Sequence, residues 1–444
     1  MTDLVFQRRK FPHLTDEEFR FMVQQEESRE RLRDKLPTIV QQPDWWFPPR
    51  LACEQCSSER TATYKAELIK PLCCPTANAD RPLMLSDHCA VRPLATLNSQ
   101  LSTFIDLTGG YGIDTFYLSA FANKAHYVEQ DPELCRIAAH NFALTRPHLQ
   151  VHNTTAEEFL RALPDVNSGS NVLIYLDPAR RDTHGGKVFR IEDCTPNVID
   201  LLPLLQQKST VLMIKLSPML DITAALRSLG EGCQVHVVAV RNEVKELLFV
   251  HYSQPSTLNE LPRTVYGEGD RGRGTQPSTL TAANYTHGHW QTLTFTLQQE
   301  QSAQVSYWNP QDTPCYLYEP NAAILKAAAF RFVSEHFRLA KLAPNTHLYA
   351  ADHLLYDFPG RVWEVISPLT SSILKHLPED IREQGASILT RNYPLSADQL
   401  RKKLKLKDSA IHTIIAARAI DKPMLFLAKK VGIGDNSAPI SVGK

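Results

Sequence analysis

The 444-residue sequence lacks the features of a membrane or secreted protein. No apolar run approaches the roughly 18 residues that a membrane-spanning helix needs. The segment that begins Met1-Thr2-Asp3 does not have the basic, apolar and small-residue order of a secretory signal. No internal repeat of the length found in solenoid proteins is visible. We therefore expect a soluble, cytoplasmic, globular protein without a membrane partner.

The sequence also lacks an excess of charge and a disulfide framework. Its 48 Lys and Arg residues balance 48 Asp and Glu residues, so any nucleic-acid site must be a local basic patch. The nine cysteines are odd in number and scattered, which favours free thiols in a reducing compartment. A zinc site at Cys53 and Cys56 with Cys73 and Cys74 is the weaker alternative, because adjacent cysteines are poor ligand pairs. We predict no metal.

One stretch, Phe104 to Asp114, has the pattern of a strand, a glycine-rich turn and a helix. An apolar run ends at Asp106, and Gly110 and Gly112 follow in the turn. Glycines let the backbone approach a nucleotide-type ligand, and the next helix directs free N–H groups at it. A dinucleotide-binding loop would have a third glycine where Thr115 stands. The acid at Asp106 instead favours S-adenosylmethionine, whose ammonium group needs acceptors.

Strands and helices alternate after this turn, which favours a doubly wound parallel sheet with ligands at the carboxyl ends of its strands. Glu129 ends the second strand, close to the roughly 20-residue offset from Asp106 at which an acid binds ribose hydroxyls. Asp131 is the competing acid, although it also has the position of a helix N-cap. Thr155 lies at the polar end of the third strand, where an adenine would be contacted.

Four motifs together resemble a known family. They are Asp-Leu-Thr-Gly-Gly-Tyr-Gly-Ile-Asp-Thr-Phe from Asp106, Tyr-Val-Glu-Gln-Asp from Tyr127, Leu-Asp-Pro-Ala-Arg-Arg-Asp from Leu176 and Ile-Lys-Leu-Ser-Pro-Met-Leu-Asp-Ile from Ile214. Over nearly its whole length the chain resembles the bacterial class I S-adenosylmethionine-dependent methyltransferases that carry a C-terminal THUMP-like domain. The resemblance implies a nucleic-acid substrate, RNA above all. The cofactor site that we predict comprises Asp106, Thr108, Gly110, Gly112, Glu129 and Thr155.

The catalytic candidates are Asp177 and Pro178, which follow a buried strand. In amino-group methyltransferases an Asp/Asn-Pro-Pro-aromatic tetrad accepts hydrogens from the target amino group, and positioning supplies most of the acceleration. Here Ala179 and Arg180 replace the second proline and the aromatic residue. A guanidinium plane can stack on a base or pair with phosphate, but the departure leaves the methylated atom open. The alternative for Asp177 is a turn residue at a strand end.

Residues 180–190 form a cationic, glycine-containing segment that is typical of a mobile flap over the site. We predict substrate contacts from Arg180, Arg181 and Lys187, and a solvated loop is the alternative. Lys215, at the exit of the next strand, would face the same cleft. It would either bind substrate or pair with an acid.

The N-terminal unit has two features of interest. A proline-bracketed aromatic cluster at Trp45, Trp46 and Phe47 is interpreted as an anchor against the next domain, and a platform for stacking bases is the alternative. Ser57 or Ser58 is predicted to cap a helix that precedes the glycine turn.

The most basic segment runs from Arg391 to Lys430. It holds ten Lys and Arg residues against three acids, which favours contact with phosphates. Ser396 is predicted to cap a helix that carries Arg401 and Lys402, both predicted to bind substrate. A solvated helix is the alternative.

We predict a Rossmann-like class I methyltransferase sheet with a helical N-terminal unit and small α/β modules at the C-terminus. The predicted boundaries are residues 1–90 for the helical unit, 91–255 for the methyltransferase domain, 256–289 for a flexible linker, 290–360 for a ferredoxin-like module and 361–444 for a basic THUMP-like module. The predicted activity is S-adenosylmethionine-dependent methylation of a base of RNA (tRNA or rRNA), with an amino nitrogen favoured. The alternatives are an RNA-binding protein that kept the cofactor fold with little or no turnover, and a methyltransferase for a protein or small molecule.

Overall fold

The computed structural model describes residues 11–73, 101–166, 171–180, 190–230, 232–252, 277–370 and 379–432. They belong to two compact units, Met1–Gln234 with Glu246–Gln276, and Val235–Lys245 with Pro277–Lys444. No helix in these ranges is long and apolar enough to span a membrane. The predicted flap residues Arg181 and Lys187 and most of the predicted linker lie outside the described residues, and of Arg180 only the backbone is described.

The first three helices in the described part of the first unit are α1 (Asp16–Leu32), α2 (Arg50–Gln55) and α3 (Glu59–Cys73). Thr15 caps α1 in a capping box with Glu18, which satisfies backbone N–H groups that the helix itself cannot pair. The Ser58 hydroxyl accepts a hydrogen bond from the Thr61 backbone N–H at 3.2 Å. A serine therefore caps α3, as predicted.

The aromatic cluster packs inside the first unit. The Trp45 indole donates a hydrogen bond to the Tyr111 hydroxyl at 2.8 Å, and Trp45 and Phe47 are buried. The Trp46 ring stacks on His140 with 3.8 Å between ring centroids. These contacts join the N-terminal helices to the elements around the glycine turn, in agreement with the anchoring interpretation.

A mostly parallel sheet forms the centre of the first unit. Along the chain the strands up to residue 252 are β1 (Leu101–Asp106), β2 (Ala122–Glu129), β3 (Leu149–Asn153), β4 (Val172–Leu176), β5 (Ala179–Arg180), β6 (Cys194–Thr195), β7 (Val211–Leu216), β8 (Gln234–Val240) and β9 (Glu243–Tyr252). The helices among them are α4 (Ile113–Leu118), α5 (Pro132–Thr145), α6 (Ala156–Ala162), α7 (Val198–Lys208) and α8 (Ile222–Leu229).

The strands of this unit follow the order β9-β7-β4-β1-β2-β3. All neighbouring pairs from β7 to β3 are parallel, and β9 is antiparallel to β7. All six residues of β7 are buried, which is typical of a parallel sheet with covered faces. The predicted doubly wound sheet is confirmed, and the carboxyl ends of β1, β2, β4 and β7 meet at one edge.

The second unit contains β8 and the C-terminal elements. These are β10 (Thr279–Thr286), β11 (His289–Thr296), α9 (Leu297–Ser302), β12 (Tyr316–Pro320), α10 (Ala322–Ala327), α11 (Phe330–His336), β13 (Ala340–Ala343), β14 (Thr346–Ala351), β15 (Gly360–Pro368), α12 (Glu379–Gln384), β16 (Ser387–Arg391), α13 (Ala397–Leu404), β17 (Thr413–Arg418) and β18 (Pro423–Lys430). One sheet has the order β13-β14-β12-β15-β18-β17-β16.

Glu319 of β12 is buried, and its carboxylate pairs with Arg361 of β15 and Arg391 of β16. Ser396 caps α13 as predicted.

The chain from Ala322 to Phe337 forms two helices, α10 and α11, and not one continuous helix. Ala328 between them adopts the left-handed conformation with φ +59°, which ends a right-handed helix. The Glu300 carboxylate accepts hydrogen bonds from the N–H groups of Phe330, Arg331 and Phe332. An acid distant in sequence therefore stabilises a second helix start.

Candidate active site

The turn between β1 and α4 has the backbone that its glycines predict. Gly110 (φ +53°) and Gly112 (φ +85°) lie in the left-handed region, which other L-residues rarely adopt. The Gly110 N–H donates a hydrogen bond to Glu129 Oε2 at 2.8 Å. A Cβ on Gly109 would lie 2.2 Å from the Tyr127 ring, whereas a Cβ on Gly110 would meet its nearest atom at 4.0 Å. Gly110 therefore borders open space, where a ligand can approach the backbone.

Asp106, at the end of β1, is a buried acid that has no cationic partner in the part of the chain that the structure describes. It is 1% exposed and accepts hydrogen bonds from the Thr115 hydroxyl at 2.5 Å and the Thr108 N–H at 3.0 Å. No Lys, Arg or His in the described ranges forms an ion pair with it. Burial raises the pKa of Asp106 to about 7, although both hydrogen bonds oppose the rise. A ligand ammonium group would supply the missing positive charge.

The two acids at the carboxyl end of β2, Glu129 and Asp131, have different roles. The Asp131 side chain caps α5 by accepting hydrogen bonds from the N–H groups of Glu133 and Leu134. The two carboxylate oxygens of Glu129 accept hydrogen bonds from the N–H groups of Gly110 at 2.8 Å and Asp131 at 2.9 Å. Each carboxylate oxygen has two lone pairs, so Glu129 keeps acceptor capacity for a ligand hydroxyl.

Thr155, predicted to lie near an adenine, is the N-cap of α6. Its hydroxyl accepts a hydrogen bond from the Glu158 N–H at 3.2 Å. Because the hydroxyl is used by the helix cap, the backbone of Thr155 is the better candidate for a ligand contact.

Asp177 follows β4 and lies beside the glycine turn. Its backbone N–H donates a hydrogen bond to the Thr108 hydroxyl at 2.6 Å, and the Thr108 N–H donates to Asp106. Pro178 is buried, and the chain after it is held by the pairing of β5 with β6. The Asp177 side chain is 37% exposed. The structure thus brings the predicted cofactor-binding and catalytic residues to one edge of the sheet.

Lys215 of β7 connects Asp177 to other buried charges. Its Nζ lies 2.5 Å from Asp177 Oδ2 and 3.6 Å from Asp114 Oδ2. A second lysine, Lys65 of α3, lies 2.6 Å from Glu246 Oε1 and 3.2 Å from Asp114 Oδ1. We call these five side chains, with Ser57 and Tyr175, the buried charge network.

Two hydroxyl groups complete the buried charge network. Those of Ser57 and Tyr175 donate hydrogen bonds to Asp114 Oδ2 at 2.7 Å and 2.6 Å. The Ser57 oxygen accepts hydrogen bonds from Lys215 at 3.1 Å and Lys65 at 3.4 Å. Charges taken out of water need such partners, because unpaired buried charges are costly.

The balance of charge fixes which of these groups are ionised. Burial alone would raise the pKa of Asp114, but the Lys65 and Lys215 ammonium groups lower it to about 2. Burial would lower the pKa of Lys215, but the carboxylates of Asp177, Asp114 and Glu246 raise it above its ordinary value. Burial raises the pKa of Glu246, and the two lysines oppose only part of that rise. At neutral pH Lys215 is a cation and Asp114 an anion.

Comparison with known proteins covers both units. A ferredoxin-like domain model matches residues 316–359, and a THUMP domain-like model matches residues 360–430. A solved structure from Porphyromonas gingivalis W83, named as a candidate methyltransferase, is 31% identical with a TM-score of 0.73. The match covers 95% of this chain and 92% of that chain. The chain belongs to the bacterial class I S-adenosylmethionine-dependent methyltransferases with a C-terminal THUMP-like domain. The two predicted C-terminal modules are also confirmed.

Other solved structures resemble part of this methyltransferase. A candidate methyltransferase from Streptococcus mutans, solved with SAH, is 14% identical with a TM-score of 0.26, and the match covers 34% of this chain and 86% of that one. An rRNA methylase from Streptococcus thermophilus is 12% identical with a TM-score of 0.25, and the match covers 34% of this chain and 86% of that one. Among curated proteins, none matches the chain.

The two predicted substrate contacts on α13 differ in their surroundings. Lys402 is exposed. Arg401 donates hydrogen bonds to the Ala386 carbonyl oxygen at 3.1 Å and to Asp408 Oδ1 at 2.8 Å. Much of the Arg401 guanidinium is therefore used within the methyltransferase, which leaves Lys402 as the stronger candidate.

Sequence reasoning did not identify the buried charge network, because it assigned no partner to Lys65, Asp114 or Glu246. The available signal was the position of Lys65 between Ala62 and Ile69 on the buried stripe of α3. A lysine on an apolar stripe must reach water or pair with an acid, because an isolated buried charge is very costly.

The cysteines give no support for the zinc alternative in the part that the structure describes. Cys53 and Cys56 are free thiols, and burial raises the pKa of Cys56 to about 11, whereas metal ligation requires the thiolate. Cys74 and the side chain of Cys73 lie outside the described residues. Within those ranges no three His, Cys, Asp or Glu side chains are arranged to hold a metal ion.

Proposed function

We propose that the methyltransferase transfers a methyl group from S-adenosylmethionine to an amino nitrogen of a base in RNA. The observation that carries the proposal is the hydrogen bond from the Asp177 N–H to the Thr108 hydroxyl at 2.6 Å. It connects the acid that would bind the target amino group to the turn that would hold the cofactor. Ligands of doubly wound sheets bind at this edge.

The proposed cofactor residues have features that fit the parts of S-adenosylmethionine. The proposed set is Asp106, Thr108, Gly110, Gly112, Glu129 and Thr155. Asp106 is buried and pairs with no cation among the described residues, and this fits the cofactor's ammonium group. The space beside Gly110 fits close approach to the backbone. Glu129, at the end of β2, is placed for ribose hydroxyls.

The chain's own contribution to the reaction is to position the target nitrogen. S-adenosylmethionine supplies a methyl group that is bound to a sulfonium sulfur. The sulfur is a good leaving group, because it becomes a neutral thioether when the methyl group is transferred. The Asp177 carboxylate and the Pro178 carbonyl oxygen accept hydrogen bonds from the target N–H groups, so the nitrogen lone pair is directed away from them. Alignment of the reacting atoms supplies most of the acceleration. The proton lost by the nitrogen passes to the Asp177 carboxylate or to water.

The basic segment supports RNA as the partner, and we propose tRNA or rRNA. Eight of its ten Lys and Arg residues are exposed, against three exposed acids. The THUMP domain-like model covers all of the same residues. Exposed cations bind phosphates through counterion release, so this binding must weaken as salt rises.

The test is methyl transfer from tritiated S-adenosylmethionine to total RNA from cells that lack the gene. We expect this RNA to accept methyl groups and RNA from unmodified cells to accept few, since its sites are already methylated. Asp177→Ala should lower the rate by about 100-fold, as misplacement of reacting groups does.

The alternatives predict different outcomes of the same experiment. Salt-dependent retention of RNA without methyl transfer would establish an RNA-binding protein instead. Transfer to protein or small molecules without RNA retention would establish a different substrate class. Full activity of Asp177→Ala would overturn the catalytic assignment.

A further inference from the structure

Asp177 is held at two points by groups that lie in the first unit. The Thr108 hydroxyl binds its backbone N–H at 2.6 Å, and Lys215 Nζ lies 2.5 Å from its Oδ2. Its other carboxylate oxygen, Oδ1, has no hydrogen bond to any described residue. Among the described residues, one oxygen is thus bound by Lys215, and the other has no hydrogen-bond partner.

Lys215 is itself fixed before any substrate arrives. Its side chain is 11% exposed, so it cannot extend into solvent to follow an RNA backbone. Its ammonium donates a hydrogen bond to Ser57 at 3.1 Å and lies 3.6 Å from Asp114 Oδ2. Of the two sequence-based interpretations of Lys215, pairing with an acid agrees with these contacts.

We propose that Lys215 is a positioning residue that binds Asp177 Oδ2 and turns Oδ1 toward the hydrogen of the target amino group. The inference rests on the proposed function, because that function assigns Asp177 to the target nitrogen. Lys215 acts through Asp177 alone and exchanges no group with the substrate. A reacting side chain needs such support, since a small misplacement lowers the rate steeply.

Lys65 provides a matched control for Lys215. It is as deeply buried and contacts Asp114, Glu246 and Ser57, yet no contact joins it to Asp177 within the described residues. Removing either lysine deprives Asp114 of a cation and destabilises the buried charge network. Of the two lysines, Lys215 alone has a described contact with the Asp177 carboxylate, so the loss of Lys215 releases that carboxylate and the loss of Lys65 does not.

The kinetic test compares Lys215→Gln, Lys215→Arg and Lys65→Gln in methyl transfer to total RNA from cells that lack the gene. Active sites are counted by titration with S-adenosylmethionine. We expect Lys215→Gln to lower kcat at least about tenfold with little change in KM for the cofactor, and Lys215→Arg to restore most of it. Lys65→Gln should lower the melting temperature similarly but keep kcat within about twofold. Equal losses of kcat in both Gln variants would overturn the inference.

A double-mutant cycle tests whether Lys215 acts through Asp177. In an Asp177→Asn background, Lys215→Gln should produce no further loss of kcat, because residues that work as a unit are not additive. Independent losses that multiply in the double variant would contradict the proposal.

Two measurements keep the proposal testable if Lys215→Gln does not fold. Ser57→Ala removes a contact of the Lys215 ammonium and should lower kcat, whereas Tyr175→Phe removes only a hydroxyl bound to Asp114 and should not. Thermal unfolding of the Lys215→Arg and Asp177→Asn single and double variants needs no substrate. We expect the losses of stability in the two single variants not to add up in the double variant. Additive losses overturn this inference by themselves, whereas failure of the wild-type protein to methylate RNA overturns the proposed function.

Discussion

The burial of Asp106 predicts that S-adenosylmethionine binds with the release of a proton. The carboxyl has a pKa of about 7 in the folded protein and an ordinary value of 3.8. At pH 6, roughly nine molecules in ten therefore carry the proton. An ammonium ligand favours the ionised carboxylate, so binding at pH 6 should release about 0.9 proton.

The same linkage fixes how the affinity depends on pH. Between pH 5.5 and 6.5 the ionised fraction of Asp106 rises about eightfold, and the association constant should rise by the same factor. Between pH 7 and 8 the Asp106 contribution is less than about twofold. The stability of the free protein depends on pH with the opposite sign. The folded state holds the proton more tightly than the unfolded state, so stability from this group falls as pH rises from about 4 to 7.

Isothermal titration in two buffers with different ionisation heats measures both the affinity and the released protons. Asp106→Asn is the control, and it should bind more weakly at pH 7 with no dependence on pH from 5.5 to 7. The titration range ends at pH 7 so that the cofactor's amino group remains charged. A constant affinity for the wild-type protein, or the same slope in Asp106→Asn, would refute the reasoning.

Three further variants test the proposed site and the basic segment. Gly110→Arg should fold, with a loss of about 1–2 kcal/mol because of its positive φ, and should bind no cofactor in a calorimetric titration; retained binding would place the cofactor elsewhere. Asp177→Asn should keep the cofactor affinity while kcat falls about tenfold, because the amide retains one acceptor oxygen; a lower affinity with normal kcat would contradict this. Lys402→Ala combined with Lys403→Ala should weaken RNA binding for all sequences and reduce the salt slope by about 2. Both lysines lie on α13. If the salt slope of this double variant were unchanged in filter binding, α13 would be excluded as an RNA-binding element.

Features encoded by adjacent residues could be predicted from the sequence. The turn around Gly110 and Gly112 needs only its own glycines and the strand before it. The caps at Ser58, Asp131 and Ser396 likewise depend on contacts two or three positions away. Local backbone requirements leave a clear pattern in the sequence.

Features that depend on residues distant in the sequence could not be predicted. Lys65 and Glu246 are 181 positions apart, and nothing near either residue specifies the other. Ala328 belongs to the residue type with the highest helix propensity, yet the helix start capped by Glu300 outweighs that preference. Arg401 counts as a free cation in a sum of charges, although Asp408 pairs with it.

The border between the ferredoxin-like and THUMP-like segments, at residues 359 and 360, falls inside one sheet. β12 on one side of the border pairs with β15 on the other side along five positions. Gly360 approaches the Glu319 carbonyl so closely that a Cβ would lie 2.1 Å from it. A gene that encoded only one segment would produce an exposed strand edge, which invites aggregation. We therefore expect the two segments to be inherited together, as halves of one evolutionary unit.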